Sequence, residues 1–178
     1  MAESSDASSN RPQEGLASDS QEPLARPALV PDSVPPRNTS GYPEPYRSLV
    51  LPREKRALGD ALGLTKIGVN LTTLGPGKQS SMRHHHTLED EFVFVVEGAV
   101  VLLSDEGEQL LTSGTCAGFP AGKPNGHQLI NRSERPARYL EISNRDPADR
   151  AFYPDVDLAY GRDENGRQVF TRKDGSRF

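Results

Sequence analysis

The stretch Gly75 to Gly98, GPGKQSSMRHHHTLEDEFVFVVEG, decides how this 178-residue chain is read. It holds His84, His85 and His86, three of the four histidines in the sequence. The acidic cluster Glu89, Asp90 and Glu91 follows, then the apolar run Phe92 to Val96, closed by Glu97-Gly98. In an extended strand, successive side chains alternate faces, so His84 and His86 point the same way, about 7 Å apart by the ~3.3 Å rise per residue. His85 then faces the other side. The turn Thr87 to Asp90 brings Glu91 back beside the pair at the start of the next strand. Two neutral imidazoles and a carboxylate suit a divalent transition metal such as Fe, Mn, Ni or Zn. His127, in the second Gly/Pro-punctuated segment GTCAGFPAGKPNGHQLIN, would complete a set of three histidines and one glutamate. The plainer alternative is a solvated histidine loop beside an ordinary polar turn.

Outward from this stretch the sequence reads as strands. Ile67, Val69 and Leu71 alternate within Lys66 to Leu74, and Gly75-Pro76-Gly77 marks a turn. Met82–His86, Glu91–Glu97 and Ala99–Ser104 follow, with a tight hairpin at Asp105-Glu106-Gly107. Gln109–Thr112, Thr115–Phe119, His127–Asn131 and Arg138–Ser143 complete about eight short strands between Lys66 and Ser143. That spacing indicates an all-β sandwich or barrel with little helix. Phe92, Phe94 and Val96 are expected in the core, with Val93 and Val95 lining the interior on the face of Glu91. Upstream, Tyr46–Pro52 reads as an edge strand, and Glu54–Leu62 has helix-forming composition ending at Gly63. Cys116 reads as a small buried hydrophobe.

Residues 1–46 carry eight of the fifteen prolines and a net charge of −4, with no long apolar run. Such a segment buries too little surface to offset its ordering entropy, which predicts a disordered acidic tail. Residues 47–178 then balance to zero, without the basic footprint of a nucleic-acid binder. No stretch has the length of a membrane span, and MAESSDASSN lacks the basic and apolar regions of a secretory signal. One cysteine forms no internal disulfide, so a cytoplasmic setting is expected. Residues 47–145 are read as the barrel domain, and residues 146–178 as an extension packing on it or forming a subunit contact.

Two segments match a known pattern. Gly77, then His84 and His86, then Glu91 after four residues and Gly98 after six more, resembles the first motif of the cupin superfamily, with one extra residue between Gly77 and His84. Gly114, five residues, Pro120-Ala121-Gly122, then His127, three residues and Asn131, resembles its second motif, with two extra residues before His127. The chain thus looks like a small single-domain cupin with its motif core at residues 66–143. The resemblance implies a double-stranded β-helix, or jelly roll, with one divalent metal on His84, His86, Glu91 and His127 in the barrel mouth. It also implies a tight turn at Gly98, corners at Pro120 and Gly122, and a structural role for Asn131.

A metal so held could polarise a carbonyl or activate O2. The expected function is therefore a metal-dependent enzyme, a dioxygenase or sugar-phosphate-isomerase-like protein, acting on a small molecule in the barrel. A non-catalytic ligand-binding or sensing cupin and a structural barrel are the alternatives. The sequence offers an isomerase no clear base outside the ligand set, because Glu141 reads as either a solvent-face residue or a partner to a ligand histidine. Glu89 and Asp90 read as solvated turn residues, and Arg83, Lys123 and Asn125 as surface charge or rim. A homodimer is the expected assembly.

Overall fold

Strand pairing organises nearly all of this chain. The computed structural model describes residues 24–178, whose strands are β1 (Arg53–Ala57), β2 (Ile67–Leu74), β3 (His85–His86), β4 (Glu91–Glu97), β5 (Ala99–Ser104) and β6 (Gly107–Thr112), then β7 (Cys116–Phe119), β8 (Gln128–Ile130), β9 (Ala137–Asn144), β10 (Ala151–Phe152), β11 (Ala159–Arg162) and β12 (Gln168–Thr171). Two short helices, α1 (Tyr46–Val50) and α2 (Leu58–Ala61), flank β1. All pairings are antiparallel. One sheet runs β1-β2-β9-β4-β7, a second β6-β5-β8, and a third β12-β11-β10-β3. Backbone bridges at Gln79–Ile130 and His84–His127 join the second and third sheets edge to edge. The first sheet packs face to face on the second, and this is the all-β jelly roll that the sequence implies.

Alternation decides which side chains fill the interior. Leu74, Val93, Val95, Ala137 and Tyr139 from the first sheet meet Val100, Leu102, Leu111 and Leu129 from the second in one buried cluster. The opposite face of β4 is turned outward: Phe92 is 40% and Val96 43% exposed. The expectation that Phe92, Phe94 and Val96 form the core is therefore corrected. Both faces of this strand are apolar, so period-two patterning cannot tell the inside from the outside. Cys116 pairs with Phe94 across the sheet and is likewise exposed, not buried.

Three other expectations change. Tyr46–Val50 is a helical turn and not a strand; Val50 is fully buried in it. The helix-forming stretch Glu54–Leu62 divides into strand β1, drawn into pairing with β2 over five residues, and the short α2. Tertiary pairing there overrides local propensity. Within Met82–His86 only His85–His86 forms a strand ladder, with β10.

The predicted disordered tail lies partly on residues 1–23, outside the described residues. Residues 24–46 differ from that expectation. Arg37 and Lys55 exchange two backbone hydrogen bonds of 2.9 Å, and Asp32 pairs with Arg138 at 2.6 Å. Tyr42 is buried, with its ring against those of Tyr153 and Phe170. One aromatic anchor secures a stretch whose average composition is polar. Beyond residue 145, β10 to β12 form an added sheet with Tyr153 and Leu158 buried in a second apolar cluster.

Two motif residues show why the turns are specified as they are. Asn131, fully buried, donates to the carbonyls of Leu74 and Arg135 at 2.8 Å and accepts from Ser133. Gly98 turns between β4 and β5 at φ 78°, and a Cβ there would stand 2.9 Å from the carbonyl oxygen of Pro136. A side chain meets both a left-handed backbone and a rigid neighbour. Gly98→Ala should lower unfolding free energy by about 1–3 kcal/mol in urea titrations; an unchanged midpoint would contradict this account of the turn.

Candidate metal centre

The segment 79–86 crosses the barrel mouth beside β8. His84 N–H donates to the His127 carbonyl at 3.1 Å, and His127 N–H donates back at 2.8 Å. This reciprocal pair brings the two histidine-bearing segments to one point, although 42 residues separate them in the chain. Glu91 opens β4 opposite, on the same inner face as Val93 and Val95.

The four side chains converge on one spot. Glu91 Oε2 lies 2.8 Å from His127 Nε2, 3.6 Å from His86 Nε2 and 3.7 Å from His84 Nε2. The donor atoms of His84, His86 and Glu91 lie within 4.8 Å of one another, as do those of His86, Glu89 and Asp149 beside them. His127 closes the set from the far side, its ring stacked on Phe119 with centroids 3.6 Å apart. The two-residue insertion before His127 thus leaves it within reach of the group. His85 points away from the cluster, stacks on Phe152 and lines a second cavity with Lys123 and Asn125, one that also reaches His86, Glu91 and His127. Arg83 is tied to Asp155 and Asp105 and does not rim the mouth freely.

The hydrogen bonds orient the donors for a metal. His84 Nδ1–H donates to the Met82 carbonyl at 2.9 Å, and His86 Nδ1–H to Asp149 Oδ2 at 2.5 Å. Each bond fixes the tautomer that leaves Nε2 with a free lone pair. Burial lowers the His84 pKa to about 4, so its imidazole is neutral at pH 7. Burial raises the Glu91 pKa, but the hydrogen bond from His127 and the nearby histidines outweigh it and bring it to about 2. Three imidazoles around one ionised carboxylate, its Oε2 buried among them, fit a divalent transition metal.

Asp149 is the residue that the sequence reading missed. It is 3% exposed, and besides His86 it accepts from the backbone N–H groups of Thr87, Leu88 and Glu89 at 2.8–3.2 Å. Burial raises its pKa, but these bonds from His86, Leu88 and Glu89 bring it below the ordinary carboxylate value. Asp149 therefore holds both the His86 ring and the turn that returns the chain to Glu91. Its position 63 residues from His86, in the polar extension, carries no local signal. The turn residues themselves are bound: Asp90 accepts from Ala121 N–H, while Glu89 is half-buried at the cavity edge.

Two outcomes follow from this geometry. Asp149→Asn should weaken metal binding roughly 10- to 100-fold in chelator competition while the fold persists; equal affinity would show that the His86 contact is incidental. In metal-free protein, His84 takes up its proton only near pH 4, whereas in the unfolded chain it does so near 6.5. The unfolded state thus binds more protons between these values. Stability should be full above about pH 6.5, fall by roughly 3 kcal/mol as pH drops to 4, and level off below. Urea midpoints measured across that range should show this slope in the wild type and lose most of it in His84→Gln.

Comparison with known proteins agrees with this reading of fold and motifs. The cupin-domain family profile matches residues 70–143. A search of curated protein sequences finds no match. Among solved structures, a sugar phosphate isomerase of the cupin superfamily from Silicibacter pomeroyi is 47% identical, with a TM-score of 0.81, over 85% of this chain and 96% of that one. A candidate sugar phosphate isomerase from Acidithiobacillus ferrooxidans is 29% identical, with a TM-score of 0.64, over 71% of this chain and 80% of that one. The polyketide cyclase RemF from Streptomyces resistomycificus, at 16% identity and a TM-score of 0.55 over 67% of this chain and 79% of its own, shares the fold. The chain belongs to the cupin superfamily.

Proposed function

We propose that this protein is a metal-dependent isomerase of a small, polar, carbonyl-bearing substrate of the sugar phosphate class, with one divalent metal held by His84, His86, Glu91 and His127. The observation that carries the reading is the lining of the barrel cavity. The histidine cluster opens into a space of about 560 Å³ that also contains Arg53, Lys55, Asn70, Tyr139 and Glu141. Charged and hydroxyl-bearing walls suit a polyol, whereas an apolar aromatic or diketone substrate would leave them unpaired. The name of the 47%-identical relative points the same way.

The metal, when bound, supplies a Lewis acid that polarises the substrate carbonyl. The rest falls to the chain. Isomerisation moves a proton between neighbouring carbons and needs a base outside the ligand set. Glu141 projects from the inner face of β9, opposite Val93 and next along the barrel from Glu91. Burial raises its pKa, but Lys55, 2.5 Å away, and Arg53 outweigh that and hold it ionised. In this role Glu141 takes the proton from the hydroxyl-bearing carbon beside the carbonyl and returns it to the former carbonyl carbon, while that hydroxyl's proton passes to the former carbonyl oxygen. No external oxidant or reductant is required.

The test reconstitutes the protein with Mn(II), Zn(II) or Fe(II) and follows aldose and ketose phosphates by NMR. Interconversion without O2 uptake is expected, and Glu141→Gln should reduce kcat by about 10²- to 10⁴-fold with little change in KM. O2 consumption with phenolic or diketone compounds, and no interconversion of sugar phosphates, would replace this reading with a dioxygenase.

A further inference from the structure

Deeper in the barrel than Glu141 lies a group of cationic and hydroxyl side chains that the metal chemistry does not use. Cross-strand pairing puts them in register. Lys55 pairs with Thr72 and Thr72 with Tyr139, one row beyond Glu141; Arg53 opens the next row, opposite Leu74 and Ala137. Arg53, Lys55 and Tyr139 line the same cavity as the histidine cluster.

What distinguishes the group is unfinished hydrogen bonding. Arg53 donates through one terminal nitrogen to the Ser80 carbonyl, but its Nε is buried without a partner. No carboxylate of the described residues forms an ion pair with it. Tyr139, fully buried, has an unpartnered hydroxyl, and so does Thr72 in the same row. Most buried polar groups in folded proteins are paired, and an unpaired one costs about 1–3 kcal/mol. Glu141 offsets one of the two cations and already pairs with Lys55. One positive charge and several donors are left in the cavity wall, which is the complement of an oxyanion.

We propose that Arg53, Lys55 and Tyr139 form an oxyanion seat inside the barrel, which takes the phosphate of a phosphorylated small molecule while its carbonyl end lies at the histidine cluster. The substrate class rests on the isomerase reading, but the seat itself is a binding site that can be measured without turnover. In this arrangement the phosphate end is anchored deep, the carbonyl reaches the mouth, and Glu141 lies between them. Anchoring at a point remote from the reacting carbons is a recognised way to position a substrate for reaction.

The test is calorimetric titration of the purified protein with inorganic phosphate and, separately, acetate. Wild type should bind phosphate in preference to acetate. Arg53→Met should weaken phosphate binding roughly tenfold or more, and Arg132→Met, on the surface, should leave it unchanged. Tyr139→Phe removes only a hydroxyl that lacks a well-aligned hydrogen bond, so it should fold normally and still weaken phosphate severalfold. Equal phosphate affinity in wild type, Arg53→Met and Tyr139→Phe, or no phosphate binding by wild type, would overturn the seat. Tighter binding of acetate, sensitive to Arg53, would overturn the phosphate assignment. Arg53-dependent phosphate binding in a protein that fails to interconvert sugar phosphates would leave the seat standing and remove the isomerase reading alone.

Discussion

Two backbone hydrogen bonds, exchanged between His84 and His127, are the constraint on which the site depends. They close the seam between the second and third sheets at the barrel mouth, where neither histidine lies in a longer ladder. Through them, two histidines from distant segments face one carboxylate on the opposing sheet. Asp149 fixes the remaining freedom by holding the His86 ring and the Thr87–Glu89 amides at once. The centre is therefore held by main-chain pairing and one buried carboxylate, with little left to flexible side chains. Such support keeps ligating groups in position before a ligand arrives.

Much of this was legible in the sequence, for a definite reason. Period-two alternation around His84-His85-His86 separates the two inward rings from the outward one without any knowledge of the fold. Turn residues at Gly98 and Pro120–Gly122 mark where strands reverse. Alternation failed where both strand faces are apolar: Phe92 and Val93 look alike to it, although one is exposed and the other buried. Composition failed at Glu54–Leu62, because pairing with β2 outweighs a preference for helix worth a few tenths of a kcal/mol per residue. Asp149, Arg53 and Lys55 were invisible as site residues because only the folded topology brings them to the cavity.

The electrostatics of the interior separate this barrel from a merely structural one. A jelly roll can be filled with aliphatic side chains, and the half of the cavity toward the second sheet is so filled. The half along β1, β2 and β9 instead carries two cations, a carboxylate and a buried phenol. Desolvating such groups costs stability, and replacing them with apolar residues would be the simpler way to pack a core. Their persistence beside a cluster of three histidines and a glutamate is best understood as the wall of a binding site. Glu91, Glu141 and the Lys55 and Arg53 cations then follow one another along the inner face of the first sheet.

The central claim is that His84, His86, Glu91 and His127 hold a single transition metal. Its most direct test is a crystal structure of the metal-reconstituted protein, with anomalous scattering recorded above and below the absorption edge of the added metal. The account predicts one anomalous peak about 2.0–2.2 Å from the three Nε2 atoms and a Glu91 carboxylate oxygen, with Glu91 drawn away from His127. No peak there, with Glu91 still resting against His127, or a peak at another group of side chains, would contradict it.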